Sequence, residues 1–299
     1  MTKIEVQPTS EQPPVLLDTL AQPLLEVPKA LLSEAYTPNQ LTLQKRARSK
    51  AISDAFVFPL IDVKSSLEQS YWQTWRCTRV VLQDGDQLKA RYCNQRWCMV
   101  CNRIRSATLR NGYEPAIDAL KDPQFVTLTH RTVSARHLRS TIETDLKTFN
   151  LCKRVMAKEG IKIKGLRKAE VEYNEADNKF HAHLHLIIED QAAANRLREL
   201  WLRKHPLKTD EAAQKVKPAT DSRELFKYFT KMLTKTQDGD QIRFDPKAMD
   251  IVFRAMKGKR VFQPFGGLTK AVSEDVEAET TTNIDWRPIP LEGSEIWHY

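Results

Sequence analysis

The stretch from Gly165 to Glu189, GLRKAEVEYNEADNKFHAHLHLIIE, limits the possible folds more than any other part of the chain. In its second half, small or apolar residues alternate with three histidines, His181, His183 and His185. In its first half, charged residues recur in the same way at Lys168, Glu170 and Glu172. Alternation with a period of two is typical of β-strands, and the residues between the two runs, 174–178, favour a turn. The stretch therefore predicts an antiparallel hairpin.

The predicted register places a set of metal-binding side chains on one face of the hairpin. If the turn is centred near residues 176–177, facing residues have numbers that sum to about 353. Glu170 then faces His183, and Glu172 faces His181, with Cβ atoms about 4.5–5.5 Å apart across the strands. Three imidazoles and two carboxylates lie within reach of a single ion. The alternative is a solvated polar face, with Leu184 and Leu186 turned to the core.

Composition and charge indicate the class of partner. The 299 residues suffice for one large domain or two modest ones, and the net charge is +9. Residues 1–44 carry two basic and five acidic residues, a net charge of −3, so the remainder carries +12. This excess predicts a polyanionic partner. The chain has no apolar run of about 18 residues and no secretion signal, which predicts a soluble, cytoplasmic protein without a membrane partner.

Four cysteines have the spacing of a zinc site. Cys93, Cys98 and Cys101 fall within RYCNQRWCMVCNRIR, and Cys77 precedes them on a predicted hairpin. Four thiolates about 2.3 Å from Zn²⁺ satisfy its tetrahedral geometry and leave no open position, so the predicted site is structural. Without a secretion signal, metal binding is favoured over disulfides. The fifth cysteine, Cys152, lies in a helical pattern and is assigned to the core.

Basic residues accompany this cysteine block. Those within it predict a rim that contacts DNA phosphates, with Arg96, Arg103 and Arg105 as the main candidates. A second basic cluster, residues 45–50, suits either phosphate contact or a solvated helix face.

The elements around the hairpin predict an α+β fold. A strand is expected at 125–130, a helix from Ser134 to about Lys158, a second helix from Asp190 to about Lys204, and a short strand near 214–218. The resulting order β-α-β-β-α-β belongs to split βαβ architectures, with helices on one face of an antiparallel sheet. A third helix is expected at 221–233, and further elements at 242–244, 245–257 and 261–265.

The third predicted helix carries a polar stripe. Asp221 and Glu224 have the spacing of a capping box. Glu224, Tyr228, Lys231 and Lys235 share one side of the helix. Taken alone, such a stripe is an ordinary exposed face. Beside a metal-binding sheet face it becomes a candidate catalytic surface.

Three ordered segments carry a family resemblance: FVTLTH at 125–130, HAHLH at 181–185 and KYFTK at 227–231. They resemble the motifs of rolling-circle replication initiators, the HUH endonucleases. The cysteine block and the hairpin are similar to the plasmid-encoded Rep branch, and the likeness runs from about Cys77 to Lys235. It implies an HUH-like split βαβ fold with a small zinc-binding element. His130 and Arg131 after TLT depart from the pattern, which leaves the contribution of the first segment open.

The resemblance also implies the roles of individual residues. His183 and His185 would bind Mn²⁺ or Mg²⁺, with either His181 or Glu170 as third ligand. Tyr228 would be the nucleophile, forming a 5′-phosphotyrosyl intermediate, with Lys231 favouring its phenolate. Glu224 would activate water for the second cleavage. Lys227 is expected to contact DNA.

The implied function is that of a plasmid replication initiator that nicks and later rejoins one origin strand, presented as single-stranded DNA or an extruded hairpin. A host helicase and polymerase are expected partners. The expected organisation is a disordered arm (1–44), a basic and Cys-rich zinc and DNA-binding element (45–110), an HUH nicking domain (111–265) and an acidic tail (266–299). The alternatives are an HUH transposase or relaxase, and a non-catalytic, zinc-stabilised DNA-binding regulator.

Overall fold

The computed structural model describes residues 38–84, 87–205, 209–226, 234–235, 242–271 and 287–288. Its helices are α1 (Pro38–Asp62), α2 (Glu68–Trp75), α3 (Met99–Asp118), α4 (Ala135–Lys158), α5 (Gln191–Lys204), α6 (Arg223–Phe226) and α7 (Pro246–Met256). Its strands are β1 (Val81–Asp84), β2 (Gln87–Ala90), β3 (Gln124–Thr129), β4 (Gly165–Asn174), β5 (Lys179–Ile188), β6 (Lys215–Pro218), β7 (Thr234–Lys235), β8 (Ile242–Arg243), β9 (Phe262–Phe265) and β10 (Arg287–Pro288).

A five-stranded antiparallel sheet organises the molecule, in the order β6-β3-β5-β4-β9. The predicted α+β class is confirmed. The chain order β3-α4-β4-β5-α5-β6 also follows the predicted alternation of strands and helices. That this arrangement is the HUH fold stays a prediction.

The hairpin forms with the predicted register. Glu170 pairs with His183, and Glu172 pairs with His181. In the turn, the Asn174 side chain accepts a hydrogen bond from the backbone N–H of Ala176 at 3.0 Å. Asn178 adopts a positive φ of 49°, a conformation that asparagine tolerates better than most residues. The local turn chemistry therefore fixes which residues face each other.

Helices α4 and α5 cover one face of the sheet. Their apolar residues, including Phe149, Met156, Leu197 and Trp201, pack on Leu128, Leu184 and Leu186 in a buried core. Asp190 begins α5 as predicted, because its side chain accepts a hydrogen bond from the N–H of Ala193 at 2.8 Å. Ser134 precedes α4 but makes no capping hydrogen bond through its side chain. The opposite face is covered in part by α3 and α6.

The N-terminal helices pack against α7. Phe56, Leu60, Tyr71 and Trp97 form one buried cluster with Phe253. Helix α1 begins at Pro38, so residues 38–44 correct the predicted extent of the disordered arm: they are helical, and Leu43 is buried. Residues 1–37 lie outside the described part. Within the described ranges, none of the helices is both long enough and apolar enough to cross a membrane.

The basic cluster at 45–50 lies on α1 and is divided between solvent and interior. Lys45 and Arg48 are exposed. Lys50 is buried, pairs with Asp54 and donates a hydrogen bond to the carbonyl of Trp75 at 2.8 Å. Lys50 therefore contributes to the packing of α1, and only part of the basic cluster is exposed to solvent.

Candidate functional site

The histidine face, defined as the side of the sheet that carries His181, His183 and His185, is built by three adjacent strands. In β4, Lys168 pairs with His185, and Glu170 with His183. In β3, Thr127 pairs with His185, and Thr129 with His183. Because side chains alternate along a strand, these residues all project to the same side. The sheet therefore brings the predicted ligands together.

Glu170 lies at the centre of the group. Its Oε2 atom is 3.4 Å from Nε2 of His185, 3.9 Å from Nε2 of His183 and 2.8 Å from Nζ of Lys168. Glu170, His183 and His185 offer ligand atoms within 4.8 Å of one another, and so do Glu172, His181 and His183. Imidazole and carboxylate are donors suited to Mn²⁺, and carboxylate also suits Mg²⁺. Each trio could hold a divalent ion.

The protonation states favour binding of a cation. Burial, together with the neighbouring His185, lowers the pKa of His183 to about 4. Burial tends to raise the pKa of Glu170, but the hydrogen bond with His185 and the charge of Lys168 outweigh it and hold that pKa well below its usual range. At neutral pH, His183 therefore has a free lone pair and Glu170 carries a negative charge.

Two threonines of the first segment orient the outer histidines. Oγ1 of Thr127 lies 3.2 Å from Nδ1 of His185, and Oγ1 of Thr129 is hydrogen-bonded to Nε2 of His181. Sequence reasoning did not identify either threonine, or Lys168, as a site residue. The alternation in FVTLT was the available signal, because it places Thr127 and Thr129 on one strand face.

His130 does not join the histidine face. It follows β3 and turns toward α4, where its Nε2 atom is 3.1 Å from Oδ1 of the buried Asp145. Its Nδ1 atom lies 2.9 Å from the carbonyl of Arg131. The polar contribution of the first segment to the face therefore comes from its threonines.

The four predicted cysteines form one compact cluster. Sγ of Cys77 lies 3.5 Å from that of Cys101 and 3.6 Å from that of Cys98, and Sγ of Cys93 lies 3.7 Å from that of Cys101. Ligands about 2.3 Å from a tetrahedral zinc ion are about 3.8 Å apart, so the spacing fits. All five cysteines lie in the described part of the chain and are free of disulfides. Cys152 is buried in the core with α5, as predicted.

The predicted DNA-binding arginines surround this cluster. Arg96 donates hydrogen bonds to the carbonyl of Met256 at 3.2 Å and to the carbonyl of Lys259. These two bonds attach the cysteine block to the end of α7. Arg103 is exposed and donates to Oγ of Ser49 at 2.9 Å. Arg105 donates to the carbonyl of Asn94 at 2.8 Å. Their role toward DNA stays a prediction.

The predicted nucleophile lies outside the described residues. Tyr228, Lys227 and Lys231 fall in the range 227–233, and the side chain of Glu224 is likewise outside the description. The start of the helix is described: Asp221 accepts a hydrogen bond from the N–H of Arg223 at 2.9 Å.

Helix α6 packs on the same side of the sheet as the histidines. Leu225 and Phe226 are buried with Ile187, which lies two residues beyond His185 on the same strand. The ring of Phe226 stacks on that of Phe262 at 5.7 Å, and Phe262 pairs with Lys168. The segment that leads to Tyr228 therefore begins on the histidine face.

Comparisons with known proteins agree with the resemblance. Residues 85–192 match the family model described as replication protein, Rep_1. The chain is 29% identical over 107 residues to "Protein rep" of Streptococcus pneumoniae serotype 2 (strain D39 / NCTC 7466), an alignment that covers 33% of each protein. The chain thus spans about a third of the length of this curated relative. No solved structure gives a significant match. The matched segment contains the cysteine block, β3, α4 and the histidine hairpin, and in this segment the chain is similar to the Rep_1 replication proteins.

Proposed function

We propose that this protein is a plasmid replication initiator of the HUH type, which nicks one strand of its origin with a tyrosine nucleophile. The observation that carries the proposal is the histidine face, where Glu170, His183 and His185 converge and on which the helix toward Tyr228 begins. The match to replication proteins supports a role in initiating replication. The net charge of +9 suits a DNA substrate.

In this proposal, the histidine face holds Mn²⁺ or Mg²⁺. When bound, such an ion neutralises charge on the scissile phosphate and orients it. His183, His185 and either Glu170 or His181 supply the ligands, while Thr127 keeps the His185 ring in place. A ligating histidine commonly uses its second ring nitrogen in this way. The low pKa of His183 keeps its lone pair available at neutral pH.

Tyr228 carries out the covalent step. Its phenol releases the proton to water, with Lys231 favouring the phenolate, and the oxygen bonds to the scissile phosphorus. The bond between phosphorus and the 3′-oxygen breaks, and that oxygen takes up a proton to become the 3′-OH primer. Glu224, four residues before Tyr228 in the sequence, activates water for the terminating cleavage as a general base. The strand enters as single-stranded DNA or an extruded hairpin, and a host helicase and polymerase extend the primer.

The cysteine cluster holds a structural zinc ion in this proposal. Cys77, Cys93, Cys98 and Cys101 would be its ligands, and the sulfur separations of 3.5–3.7 Å support the assignment. Arg96, Arg103, Arg105 and Lys227 contribute positive charge toward DNA phosphates.

Trapping the covalent intermediate tests the proposal. The full chain is incubated with end-labelled single-stranded origin DNA and Mn²⁺, then denatured in detergent. We expect a labelled adduct that Tyr228→Phe abolishes and that the matched control Tyr173→Phe retains. Peptide mapping should place the nucleotide on Tyr228. An adduct that persists in Tyr228→Phe, or the lack of any adduct, would refute the nicking mechanism.

A further inference from the structure

We propose that a groove on the outer surface of α4 binds the phosphate backbone of duplex DNA. The groove has a volume of about 610 Å³ and is lined by Lys147, Asn150, Lys153, Arg154 and Ala157. Helix α4 covers the side of the sheet opposite the histidine face, so this α4 groove is separate from the proposed metal site. The inference rests on the proposed function for the presence of DNA, and it adds a second surface that holds this DNA.

The basic side chains of the α4 groove are not neutralised. Its lining contains three cations and no carboxylate. Within the described ranges, Lys147, Lys153 and Arg154 belong to no ion pair, and Lys147 and Arg154 are exposed to solvent. Exposed cations without carboxylate partners attract a polyanion. The groove therefore offers three positive charges to a row of phosphates.

The acidic residues along α4 have other partners. The ion pairs that they form are Glu143 with Arg139 and Lys259, Asp145 with His130, and Glu159, just after the helix, with Arg196. The α4 groove keeps its positive charge because these carboxylates are already paired with other side chains.

A buried arginine adds to the positive field beneath the groove. Arg167, on β4, is 2% exposed and donates hydrogen bonds to the carbonyl of Arg260 at 3.2 Å and to Oε1 of Gln263 at 3.0 Å. Its Nη1 atom is buried and has no hydrogen-bond partner among the described residues. The guanidinium carbon lies 6.0 Å from the ring centroid of Phe149, and Nζ of Lys153 lies 5.6 Å from the same centroid.

Arg167 and Lys153 therefore place two positive charges around one aromatic ring. Burial, together with the charge of Arg167, lowers the pKa of Lys153. Positive charge that is buried without a counter-ion is unfavourable. A phosphate bound at Lys153 would supply negative charge close to both groups and relieve their repulsion.

The groove suits duplex DNA better than unpaired bases. The rings next to Lys153, those of Phe149 and Phe265, are buried, so the groove has no exposed platform on which bases could stack. Contacts to phosphates alone position a duplex without reading its sequence. Seven residues separate Lys147 from Arg154, about 10 Å along the helix, which matches about three nucleotides of one strand at about 3.4 Å each.

The salt dependence of DNA binding tests this inference. The full chain is titrated, without Mn²⁺, into a fluorescein-labelled duplex of mixed sequence, and anisotropy gives the affinity at several NaCl concentrations. We expect the triple variant Lys147→Gln, Lys153→Gln, Arg154→Gln to bind more weakly at low salt. The slope of log K against log[NaCl] should become shallower by about 2 to 3, because each lost phosphate contact removes about 0.9.

The matched control removes the same charge elsewhere. Lys121→Gln, Arg203→Gln and Lys204→Gln change three exposed cations outside the α4 groove and should leave the slope close to that of the wild type. Single-stranded oligo(dT) should lose less affinity than the duplex in the groove variant. Circular dichroism checks folding. If the triple variant does not fold, the double variant of the exposed Lys147 and Arg154 replaces it, with an expected change in slope of about 2.

Lysine labelling of the wild-type protein gives a second measurement that needs no variant. Acetic anhydride modifies exposed amines, and mass spectrometry reports the rate at each lysine. Bound duplex should slow the modification of Lys147 and Lys153 several-fold. Lys121 and Lys204 should react at the same rate with and without DNA.

Three results would overturn the inference: an unchanged slope in the groove variant, an equal change in the control, or full reactivity of Lys147 and Lys153 under bound duplex. A loss confined to oligo(dT) would overturn the assignment to duplex DNA. The binding assay contains no Mn²⁺ and no origin sequence, so it is independent of the adduct assay. A missing adduct together with a shallower slope would refute nicking and leave the groove standing. A Tyr228 adduct with an unchanged slope would do the reverse.

Discussion

At the scale of single residues, the protonation states on the histidine face depend on burial and on contacts between neighbouring side chains. Glu170 is ionised although its side chain is largely buried, because His185 and Lys168 both contact it. His183 is neutral because burial disfavours its charged form. These states follow from burial and from contacts within and between β4 and β5.

His183 should make the stability of the metal-free protein depend on pH. Its pKa is about 4 in the folded chain and about 6.5 when unfolded, so the unfolded chain binds more protons between these values. Stability contributed by the neutral ring is present above pH 6.5 and is lost as the pH falls toward 4, by about 3 kcal/mol. Denaturant unfolding at several pH values should show a flatter profile for His183→Asn than for the wild type. Parallel profiles would contradict the assignment.

Thr127 should contribute to ion binding without contacting the ion. Thr127→Val keeps the shape of the side chain and removes the hydrogen bond to Nδ1 of His185. Because His185 is a proposed ligand, we expect Mn²⁺ affinity to fall by about 10-fold, as for other outer-shell partners. Nitrogen NMR of His185 should show a changed tautomer ratio. A Thr148→Val control, on α4, should leave both readouts unchanged.

At the scale of elements, the hairpin and the cysteine cluster are set by different constraints. The register of β4 and β5 follows from local turn chemistry and alternation, which act within 25 residues. The cysteine cluster joins Cys77 to the start of α3, where Cys98 precedes the first helical residue. A metal ion there would fix the point at which α3 begins.

Cys98→Ser should abolish zinc binding and destabilise the start of α3. With one of four ligands lost, we expect zinc content to fall from about one ion per chain toward zero, with a lower thermal midpoint. The matched control is Cys152→Ala, which removes a buried thiol of the core and should retain the zinc. Atomic absorption and thermal unfolding measure both effects. Full zinc content in Cys98→Ser would exclude Cys98 as a ligand.

At the scale of the whole molecule, α7 connects the N-terminal helices to the sheet. Asp250, fully buried, accepts hydrogen bonds from Tyr71 at 2.7 Å and from Arg254 at 2.7 Å, as well as from Ser65. Arg96 adds a second connection at the end of α7. Packing of Trp97 on Phe253, with centroids 4.9 Å apart, adds an apolar contact.

The contact between Tyr71 and Asp250 should stabilise this junction. Tyr71→Phe removes one hydrogen bond to a charged group and should lower the free energy of unfolding by about 2 kcal/mol. Asp250→Ala should cost about 3 kcal/mol, because the buried hydroxyl of Tyr71 is left without its acceptor, whereas Arg254 is exposed and is solvated instead. Denaturant unfolding of both single variants and the double variant gives their coupling. Strictly additive effects would show that the contact contributes nothing.

Much of this fold can be predicted from the sequence, because strand alternation, helix caps and turns depend on residues that are close together in the chain. The hairpin register, the bounds of α4 and α5 and the grouping of four cysteines all follow from spacing along the chain. Three other features do not follow from spacing: the packing of α1 and α2 on α7, the turn of His130 toward Asp145, and the contact between Thr127 and His185. These depend on which distant segments meet, and a contact between residues far apart in the chain leaves no periodic signal. The hairpin itself supplies the two carboxylates beside the histidines, whereas the pairing of β3 with β5 brings in Thr127 and Thr129, which orient the outer rings.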